Sequence, residues 1–478
     1  MKRTLNYIGG DWCEPESGEW TANDNPARPG ETVGLVARST EGDVKRAVDA
    51  AAEAFASWRD LPGAKRGKVL DAAARLLEER ADAIAEIMTR EMGKTFAEAR
   101  GEVLRGSAIL KFYGGEGERA NGDHIPPADG KSLLYTRRIP LGVVGLITPW
   151  NFPVAIPVWK LAPALAYGNT VVLKPAGNAS VTAGLLVEAL VDAGVPAGVL
   201  NLVHGSGSVT GNALLEHPRL AAVSFTGSNA VGKEIALKAS SRGIKYQLEM
   251  GGKNAVIVME DADLDQAAEL VVSGSMKSTG QKCTATSKVI VMRSIAGTFT
   301  EKLLERLRRI RVGDGMDPET YFGPVATPSA QLSVLAHIRK AQDEGAKLLL
   351  GGGTANRDGC FVEPTLFAGV TPAMSIAREE IFGPVLALME ADSLEAAISM
   401  ANDTEFGLSA AIFTNSLSNT MAFVSRIEAG MVKVNAETAG VEYQAPFGGL
   451  KQSSSNSREQ GRAAMDFFTH IQTISLSI

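Results

Sequence analysis

The first third of the chain carries apolar residues at spacings of three and four. This spacing places apolar side chains on one face of an α-helix, whereas strict alternation is typical of a β-strand. The pattern predicts amphipathic helices over residues 43–58, 66–90 and 98–113. We therefore expect the first third of the chain to be helical.

From residue 143 onward, short apolar runs alternate with helix-length segments such as 179–193 and 229–240. Strand–helix alternation of this kind predicts right-handed βαβ units and mostly parallel sheets. The glycine pair at 251–252 divides the predicted strands into two series. The first series covers residues 143–148, 170–175, 199–204, 221–226 and 246–250. The second covers residues 254–259, 288–292, 385–390, 410–414 and 431–435.

The two series predict an α/β fold with two parallel-sheet domains. The first domain would comprise residues 1–117 and 141–251, and the second residues 252–462. Residues 118–140 and 463–478 fit neither of the two strand–helix series, and we call them the two excursions. Segments of this kind often pair between subunits. We therefore predict that they are oligomerisation segments of a homodimer or homotetramer.

Composition narrows the class of protein. The chain has 478 residues, 45% hydrophobic and 21% charged, which is typical of a soluble globular protein. A formal net charge of −6 does not suggest a nucleic-acid-binding surface. We find neither an apolar run long enough to span a membrane nor a signal peptide. Three widely spaced cysteines argue against a disulfide framework and for a reducing compartment, so we predict a cytoplasmic location.

Cys283 is the first candidate for chemistry. It stands in GQKCTATSKVIV, where a glycine-containing turn enters a β-branched run. Loops at the ends of strands commonly carry catalytic groups. The alternative is that Cys283 is a small buried hydrophobe, and that alternative is favoured for Cys13 and Cys360, which lack such a context.

Two further polar residues stand at predicted strand ends. Glu249, in EMGGK, precedes two glycines that let backbone approach closely, and a partly desolvated carboxylate there can serve as a general base. Asn151, in TPWNFP, is held between prolines, and its amide is a neutral donor suited to an oxyanion. Taken singly, Glu249 is more often a capping or solvated residue, and Asn151 is equally suited to cap the predicted helix 157–167.

A nucleotide site is indicated by two strand ends. Lys174 ends TVVLKP, and FTGS at 225–228 ends another strand and opens a helix. Ser228 and the backbone amides around it suit a phosphate at a helix N-terminus. HGSGSVTG at 204–211 does not have the spacing of the usual dinucleotide fingerprint, so these features alone favour nucleotide binding only moderately.

Taken together, these motifs resemble those of the aldehyde dehydrogenase superfamily, and they occur in that family's order and spacing. The motifs are PWNFP at 149–153, FTGS at 225–228, EMGGK at 249–253, GQKC at 280–283, EEIFGPV at 379–385 and PFGGLK at 446–451. The resemblance implies a Rossmann-like NAD(P)-binding domain, which would be the first domain, and a catalytic second domain. A non-catalytic binding protein on the same fold is the alternative of another class.

The resemblance implies roles for individual residues. Cys283 would be the nucleophile that forms a thioester, Glu249 the base that activates water, and Asn151 the oxyanion donor. Lys174 would hold the adenine ribose and Ser228 the pyrophosphate. The cofactor-binding residues implied are Ile147, Thr148, Pro149, Trp150, Lys174, Ala176, Gly177, Gly207, Phe225, Thr226, Gly227, Ser228, Val231, Met250, Gly251, Glu380 (nicotinamide ribose) and Phe382 (nicotinamide). No metal is expected.

The resemblance is strongest to the 2-oxoglutarate-semialdehyde (2,5-dioxopentanoate) branch. GQKCTATS and the tail APFGGLKQSSSNSREQG carry it, and Ser454 replaces the glycine of the usual family tail. Arg105 and Lys282 stand where a related branch places two arginines, and Trp159 stands where the succinate-semialdehyde branch places one. We therefore expect these three residues to bind substrate. Succinate semialdehyde and glyceraldehyde 3-phosphate remain alternative substrates, and Arg105 is equally compatible with a solvated helix face.

Gly177 bears on the choice of cofactor. Members of the resembling family that prefer NAD often carry a glutamate at this position, three residues after the lysine. A glycine removes the carboxylate that would repel a 2′-phosphate, while Lys174 still attracts one. We therefore expect NADP to be used at least as well as NAD.

Overall fold

The computed structural model describes residues 2–119, 122–355, 357–455 and 457–477. Five short strands precede the first long helix, so the prediction of a helical first third is wrong for residues before Glu41. These strands are too short to develop a periodicity, and their partners are distant in sequence. They are β1 (Arg3–Thr4), β2 (Asn6–Ile8), β3 (Asp11–Cys13), β4 (Trp20–Asp24) and β5 (Thr32–Ala37).

Four helices follow, and two begin with capping boxes. Thr40 and Thr95 each accept from the backbone amide three residues ahead, and the acidic side chain there reaches back. The single helix predicted over 66–90 is two helices that meet at Arg80, whose φ of −99° and ψ of 8° interrupt the α-helix. The helices are α1 (Glu41–Asp60), α2 (Gly63–Glu79), α3 (Ala81–Met92) and α4 (Phe96–Glu116).

The first large sheet has seven strands, ordered β12-β11-β8-β9-β10-β2-β3. Five strands run parallel, and β2 and β3 add an antiparallel edge. The predicted strands of the first series are all present. The elements are β6 (His124–Ile125), β7 (Leu133–Pro140), β8 (Val143–Ile147), α5 (Ala155–Ala166), β9 (Thr170–Lys174), α6 (Ser180–Asp192), β10 (Leu200–Leu202), α7 (Asn212–Glu216), β11 (Leu220–Thr226), α8 (Asn229–Ser241) and β12 (Lys245–Glu249).

The second large sheet also has seven strands, ordered β15-β16-β17-β14-β13-β19-β20, and only β15 is antiparallel. The second predicted series is present, and β15 and β16 are additional. The elements are β13 (Asn254–Val258), α9 (Leu264–Met276), β14 (Thr286–Met292), α10 (Ala296–Arg308), α11 (Pro328–Asp343), β15 (Lys347–Leu350), β16 (Thr365–Ala368), α12 (Ser375–Arg378), β17 (Val385–Ala391), α13 (Leu394–Asn402), β18 (Phe406–Gly407), β19 (Ser409–Phe413), α14 (Leu417–Arg426) and β20 (Met431–Val434).

The two polar excursions pair with each other. β22 (Thr469–Leu476) runs antiparallel to β7 over eight residue pairs, and the small sheet is ordered β22-β7-β6. Ala120 and Asn121 of the first excursion, and Ile478 of the second, lie outside the described residues. β21 (Leu450–Lys451) and α15 (Ala464–Phe468) precede β22. Pairing of these segments between subunits stays a prediction.

Residues 446–455 and 457–460, which we call the return segment, run back from the second sheet to the first. The Met250 amide donates to the Ser453 carbonyl at 2.8 Å, and the Ser455 amide donates to the Leu248 carbonyl at 2.9 Å. Phe447 packs into the core of the first domain. The segments that follow β8 and β12 contact the loop before β14, and the return segment pairs with β12 beside them. In the part of the chain that the structure describes, no helix is long and apolar enough to cross a membrane.

Candidate active site at the junction of the two sheets

Cys283 lies in a tight turn before β14, as the sequence predicted. The three residues Ser278, Thr279 and Gly280 have φ values of 55°, 58° and 67°, which is unusual for the first two. The Thr279 hydroxyl holds this stretch by donating to the Gly323 carbonyl at 3.1 Å. Such locally strained backbone persists only where surrounding contacts determine it, and it is concentrated at functional sites.

The surroundings of the Cys283 thiol keep it protonated. Burial raises the pKa of this thiol to about 12, and the charges of Glu249 and Glu380 contribute in the same direction. Since the thiolate is the nucleophilic form, the thiol must lose its proton as it reacts. The charge of the Glu249 carboxylate therefore disfavours the thiolate form of Cys283.

Asn151 lies beside the Cys283 turn. Its side-chain Nδ2 donates to the carbonyl of Gln281, two residues before the nucleophile, at 3.0 Å. An amide nitrogen has two hydrogens, so one remains for another acceptor. Asn151 is 4% exposed, whereas Cys283 is partly exposed, so solvent or a substrate can reach the thiol beside a buried amide.

Two buried charges that the sequence analysis missed hold the Asn151 loop. Lys94 Nζ donates to the Asn151 carbonyl at 2.9 Å and forms a 2.5 Å ion pair with Glu102. The other oxygen of Glu102 accepts from the amides of Val154 and Ala155 at the start of α5. This carboxylate supplies a cap that α5 lacks in its own sequence, because Val154 has no capping side chain.

Glu249 ends β12 and is 2% exposed. Its Oε2 accepts a hydrogen bond from the Ser454 hydroxyl at 2.6 Å. Its Oε1 has no hydrogen-bonding partner among the described residues. Burial raises the pKa of Glu249 well above its ordinary value, and repulsion from Glu459 adds to this. A carboxylate with a raised pKa is suited to accept a proton near neutral pH.

A second buried pair lies behind Glu249. Lys160, on α5, forms an ion pair with Glu459 of the return segment, and both side chains are at most 2% exposed. Lys160 Nζ also donates to the Ser224 hydroxyl of β11 at 2.8 Å. Sequence reasoning missed this pair, although a lysine within the apolar run of α5 was the available signal.

The predicted adenosine-binding residues line one cavity. Lys174, Gly177 and Gly207 border a space of about 650 Å³ together with Asn178 and Ser206. Burial lowers the pKa of Lys174 to about 8, and its Nζ donates to the Pro175 carbonyl at 3.1 Å. A Cβ built on Gly177 would meet nothing within 4 Å, so this side of the cavity is open.

The N-terminus of α8 is available to an anion. Ser228 is its N-cap residue, yet the serine side chain makes no capping hydrogen bond. The free amides of a helix N-terminus and this hydroxyl fit a phosphate group. The Gly251 amide donates to Asn229 Oδ1 at 3.0 Å, which fixes the loop that follows Glu249.

The predicted nicotinamide end lies next to the same loop. Glu380 Oε1 accepts from the Gly252 amide at 3.0 Å, and burial raises the pKa of Glu380 to about 7. A Cβ built on Gly251 would lie 2.3 Å from a Glu380 oxygen, so a side chain there would displace the carboxylate from this position. Phe382 has φ 57° and packs edge-on against Trp150, with ring centroids 5.7 Å apart.

The remaining predicted cofactor residues surround these groups. They lie at the ends of β8 and β11, after β9, on α8 and after β12: Ile147, Thr148, Pro149, Ala176, Phe225, Thr226, Gly227, Val231 and Met250. The Thr148 and Thr226 hydroxyls are buried without a hydrogen-bonding partner among the described residues.

The predicted substrate residues fall into two places. Arg105 of α4 is partly buried, and its guanidinium donates to the Val441 carbonyl. Burial lowers the pKa of Arg105, while Glu442 and Glu102 raise it. Trp159 stacks at 5.2 Å on Phe447. Lys282 instead borders a small cavity with Glu380 and Phe382, so the structure does not place it with Arg105.

No cluster of three or more potential metal ligands occurs within residues 2–119, 122–355, 357–455 and 457–477. The groups that lie around Cys283 are a thiol, an amide, carboxylates and lysines, and such groups are suited to acyl chemistry on a carbonyl compound.

The whole chain is similar to known proteins. Residues 12–474 match the Aldehyde dehydrogenase family. The alpha-ketoglutaric semialdehyde dehydrogenase of Bacillus subtilis (strain 168) is 54% identical over 98% of this chain and 97% of its own. The alpha-ketoglutarate semialdehyde dehydrogenase of Haloferax volcanii is 44% identical over 98% of both chains. The crystal structure of the NAD-dependent aldehyde dehydrogenase from Sinorhizobium meliloti superposes with a TM-score of 0.98 at 35% identity, over 100% of this chain and 95% of that one.

The predicted family and the predicted α/β fold are confirmed by these similarities. The matches to proteins named dehydrogenases cover nearly the whole chain and not only single motifs. They therefore argue against the alternative of a non-catalytic binding protein on the same fold. The chain belongs to the aldehyde dehydrogenase family and is an NAD(P)-dependent aldehyde dehydrogenase.

Proposed function

We propose that the enzyme oxidises 2-oxoglutarate semialdehyde to 2-oxoglutarate through a thioester on Cys283. The observation that supports the mechanism is that the Asn151 amide is bonded to the turn that carries Cys283, while the charge of the buried Glu249 carboxylate acts on the Cys283 thiol. The substrate is supported by relatives that are 54% and 44% identical over nearly the whole chain and are named for this semialdehyde.

In the first step, the sulfur of Cys283 adds to the aldehyde carbon and the thiol proton passes to Glu249. The free hydrogen of Asn151 Nδ2 and the backbone amide of Cys283 donate to the oxyanion that forms. Each donor of this kind typically contributes ~3 kcal/mol to transition-state stabilisation. Lys94 and Glu102 hold the Asn151 loop in place for this contact.

The residues of the cleft fit a dinucleotide. Ser228 and the α8 amides would hold the pyrophosphate, Lys174 the adenine ribose, and Glu380 the nicotinamide ribose. The Ser228 hydroxyl makes no capping hydrogen bond, and Gly177 and Gly251 have no side chains. These observations support the assignment. When bound, NAD(P)+ supplies the acceptor for the hydride that leaves the substrate carbon.

Glu249 then releases the thiol proton to solvent, and in the last step it takes a proton from water while the water oxygen attacks the thioester carbon. The carbon–sulfur bond breaks, the carboxylic acid leaves, and Cys283 regains its thiol. Covalent capture thereby divides one difficult oxidation into two easier steps. The Glu459 charge raises the pKa of Glu249 and the Lys160 charge lowers it. The pair therefore affects how readily Glu249 takes this proton.

Arg105 is proposed to bind the carboxylate of the substrate. Val441 occupies one of its donors, and a guanidinium has five. A charge-assisted contact contributes roughly 1.5–3 kcal/mol, so Arg105→Met should lower kcat/KM for 2-oxoglutarate semialdehyde by about 10- to 100-fold. The loss should be selective, because a neutral aldehyde such as propanal makes no such contact.

The experiment measures kcat/KM for 2-oxoglutarate semialdehyde, succinate semialdehyde, glyceraldehyde 3-phosphate and propanal, each with NADP and NAD. Arg100→Met is the matched control, since Arg100 lies on the same helix but pairs with Asp82 at the surface. Equal losses for charged and neutral aldehydes in Arg105→Met would contradict the carboxylate role. A preference for either alternative aldehyde would replace the proposed substrate.

We further propose that NADP is used at least as well as NAD, because Gly177 leaves the cavity beside Lys174 open. We also propose a homodimer or homotetramer built through β7 and β22. The exposed apolar residues Ile471 and Leu476 on the edge strand β22 support that assignment. A cytoplasmic location is supported by Cys13, Cys283 and Cys360, which are all free thiols.

A further inference from the structure

Ser454 makes two short hydrogen bonds that define the direction of its hydroxyl hydrogen. The Gly449 amide donates to Ser454 Oγ at 2.6 Å. Ser454 Oγ lies 2.6 Å from Glu249 Oε2 and donates to it. Because the amide must act as the donor in the first bond, the serine hydrogen is free to point at the carboxylate.

The backbone holds this serine firmly against β12. Glu249 and Ser454 face each other in an antiparallel bridge. On one side of it the Met250 amide donates to Ser453, and on the other the Ser455 amide donates to Leu248. The backbone of Ser454 is therefore fixed beside that of Glu249, and only rotation about one short side-chain bond remains to place the hydroxyl, which the Gly449 amide and the carboxylate contact.

We propose that Ser454 is a positioning residue for the general base: it fixes Oε2 of Glu249 and leaves Oε1 as the oxygen that takes the proton. The inference rests on the proposed function of Glu249. A Cβ built on Gly448, whose φ is +151°, would lie 2.8 Å from Oε1, so a glycine there makes room for this orientation. At position 454 this chain departs from the glycine of the resembling family tail, which has no hydroxyl to offer.

The charges around Glu249 explain why a neutral donor matters. Burial and the Glu459 charge raise the pKa of Glu249, whereas the Ser454 hydrogen bond, Lys160 and Arg458 lower it. Ser454 is the neutral side chain that stabilises the charged form by direct contact. Removing its hydroxyl should leave more of Glu249 protonated at a given pH, and a protonated base cannot activate water.

The test compares pH–rate profiles of Ser454→Gly, Ser454→Ala and Ser454→Thr under conditions where thioester hydrolysis limits turnover. Without the hydroxyl, the acidic limb of kcat should move to higher pH. We expect about a tenfold loss at about pH 6 in the glycine and alanine variants, and a smaller loss on the alkaline plateau. Threonine keeps a hydroxyl and should restore the wild-type limb.

Ser455→Ala is the matched control, because the Ser455 hydroxyl accepts from the Leu248 amide and does not touch Glu249. It should change stability without moving the acidic limb. An unmoved limb in both folded Ser454→Gly and folded Ser454→Ala would overturn the proposal, as would a limb that moves equally in Ser455→Ala. Failure of the base assignment is measured separately: Glu249→Gln removes the acceptor of both the thiol proton and the water proton, so it should slow the first-turnover burst of NAD(P)H near neutral pH and lose steady-state hydrolysis. Raising the pH, which ionises the thiol without a base, should recover the burst but not hydrolysis, and hydrolysis at the wild-type rate in Glu249→Gln would show that Glu249 is not the base.

Discussion

Glu459→Gln is expected to lower thermal stability while making the enzyme more active in acid. Glu459 forms a buried ion pair with Lys160 and also accepts from the Ser224 hydroxyl at 3.2 Å. Its charge repels the Glu249 carboxylate and raises the pKa of that group. Glutamine keeps the size of the side chain and one acceptor oxygen for Lys160 and Ser224, and it replaces the second carboxylate oxygen, which has no partner among the described residues, with an uncharged amide nitrogen.

The two effects have different magnitudes. Without the carboxylate charge, the buried ammonium group of Lys160 has no counter-charge. Breaking a buried ion pair in this way lowers the free energy of unfolding by roughly 3–5 kcal/mol. Lys160 then also attracts Glu249, so both changes lower the pKa of Glu249 from its raised value. Glu249 therefore becomes deprotonated at lower pH, and the acidic limb of kcat moves to lower pH. A gain of roughly tenfold in relative rate on that limb is expected.

Urea denaturation measures the first effect and a pH–rate profile measures the second. The double variant Lys160→Met/Glu459→Leu removes both charges and should recover much of the stability, because apolar replacements of buried pairs are often neutral or stabilising. The reasoning is refuted if Glu459→Gln keeps the wild-type acidic limb, since Glu249 would then be independent of the pair. A wild-type denaturation midpoint would likewise refute the claim that Lys160 depends on Glu459.

Two shorter predictions concern the nucleophile and the cofactor. Cys283→Ala should abolish aldehyde oxidation and leave NAD(P) binding intact, whereas Cys13→Ala and Cys360→Ala should remain active; turnover above about 1% of wild type in Cys283→Ala would contradict the assignment. Gly177→Glu should shift the ratio of kcat/KM values from NADP toward NAD by roughly tenfold, because a carboxylate accepts the 2′-hydroxyl and repels a 2′-phosphate. The open space at Gly177 accommodates that side chain, and an unchanged ratio would mean that the 2′ position is recognised elsewhere.

The parallel strands could be predicted because each leaves a clear local signal. Strands such as β9 and β13 are buried on both faces, so they are continuous apolar runs between helix-length segments. The strands before α1 leave no such signal. β1 pairs with β5 and β2 with β10, so their assignment depends on contacts across many residues that no local pattern encodes.

Some residues of the candidate site could likewise be predicted from the sequence, and others could not. Cys283, Glu249 and Asn151 stand at loop or strand ends and inside motifs, so their residue types and spacing identified them as candidates. Lys160 and Glu459 are 299 positions apart in the sequence, and they are hydrogen-bonded to each other in the folded chain. A lysine in an apolar helix is recognisable as unusual, but its carboxylate partner becomes evident only after the return segment folds back onto the first sheet.

The raised pKa values at the centre of the site constrain the order of events. The charges of Glu249 and Glu380 both raise the pKa of the Cys283 thiol, and burial raises the pKa of all three groups. A thiolate beside a charged Glu249 is thus disfavoured, whereas transfer of the thiol proton to Glu249 forms the nucleophile without adding charge. In the proposed mechanism, Glu249 is then protonated when the thioester forms, and it must lose that proton before it can accept one from water. The Ser454 hydroxyl and the Lys160 charge, which both favour the charged carboxylate, promote that loss. The same carboxyl group can therefore serve capture and hydrolysis in turn, with a deprotonation between them.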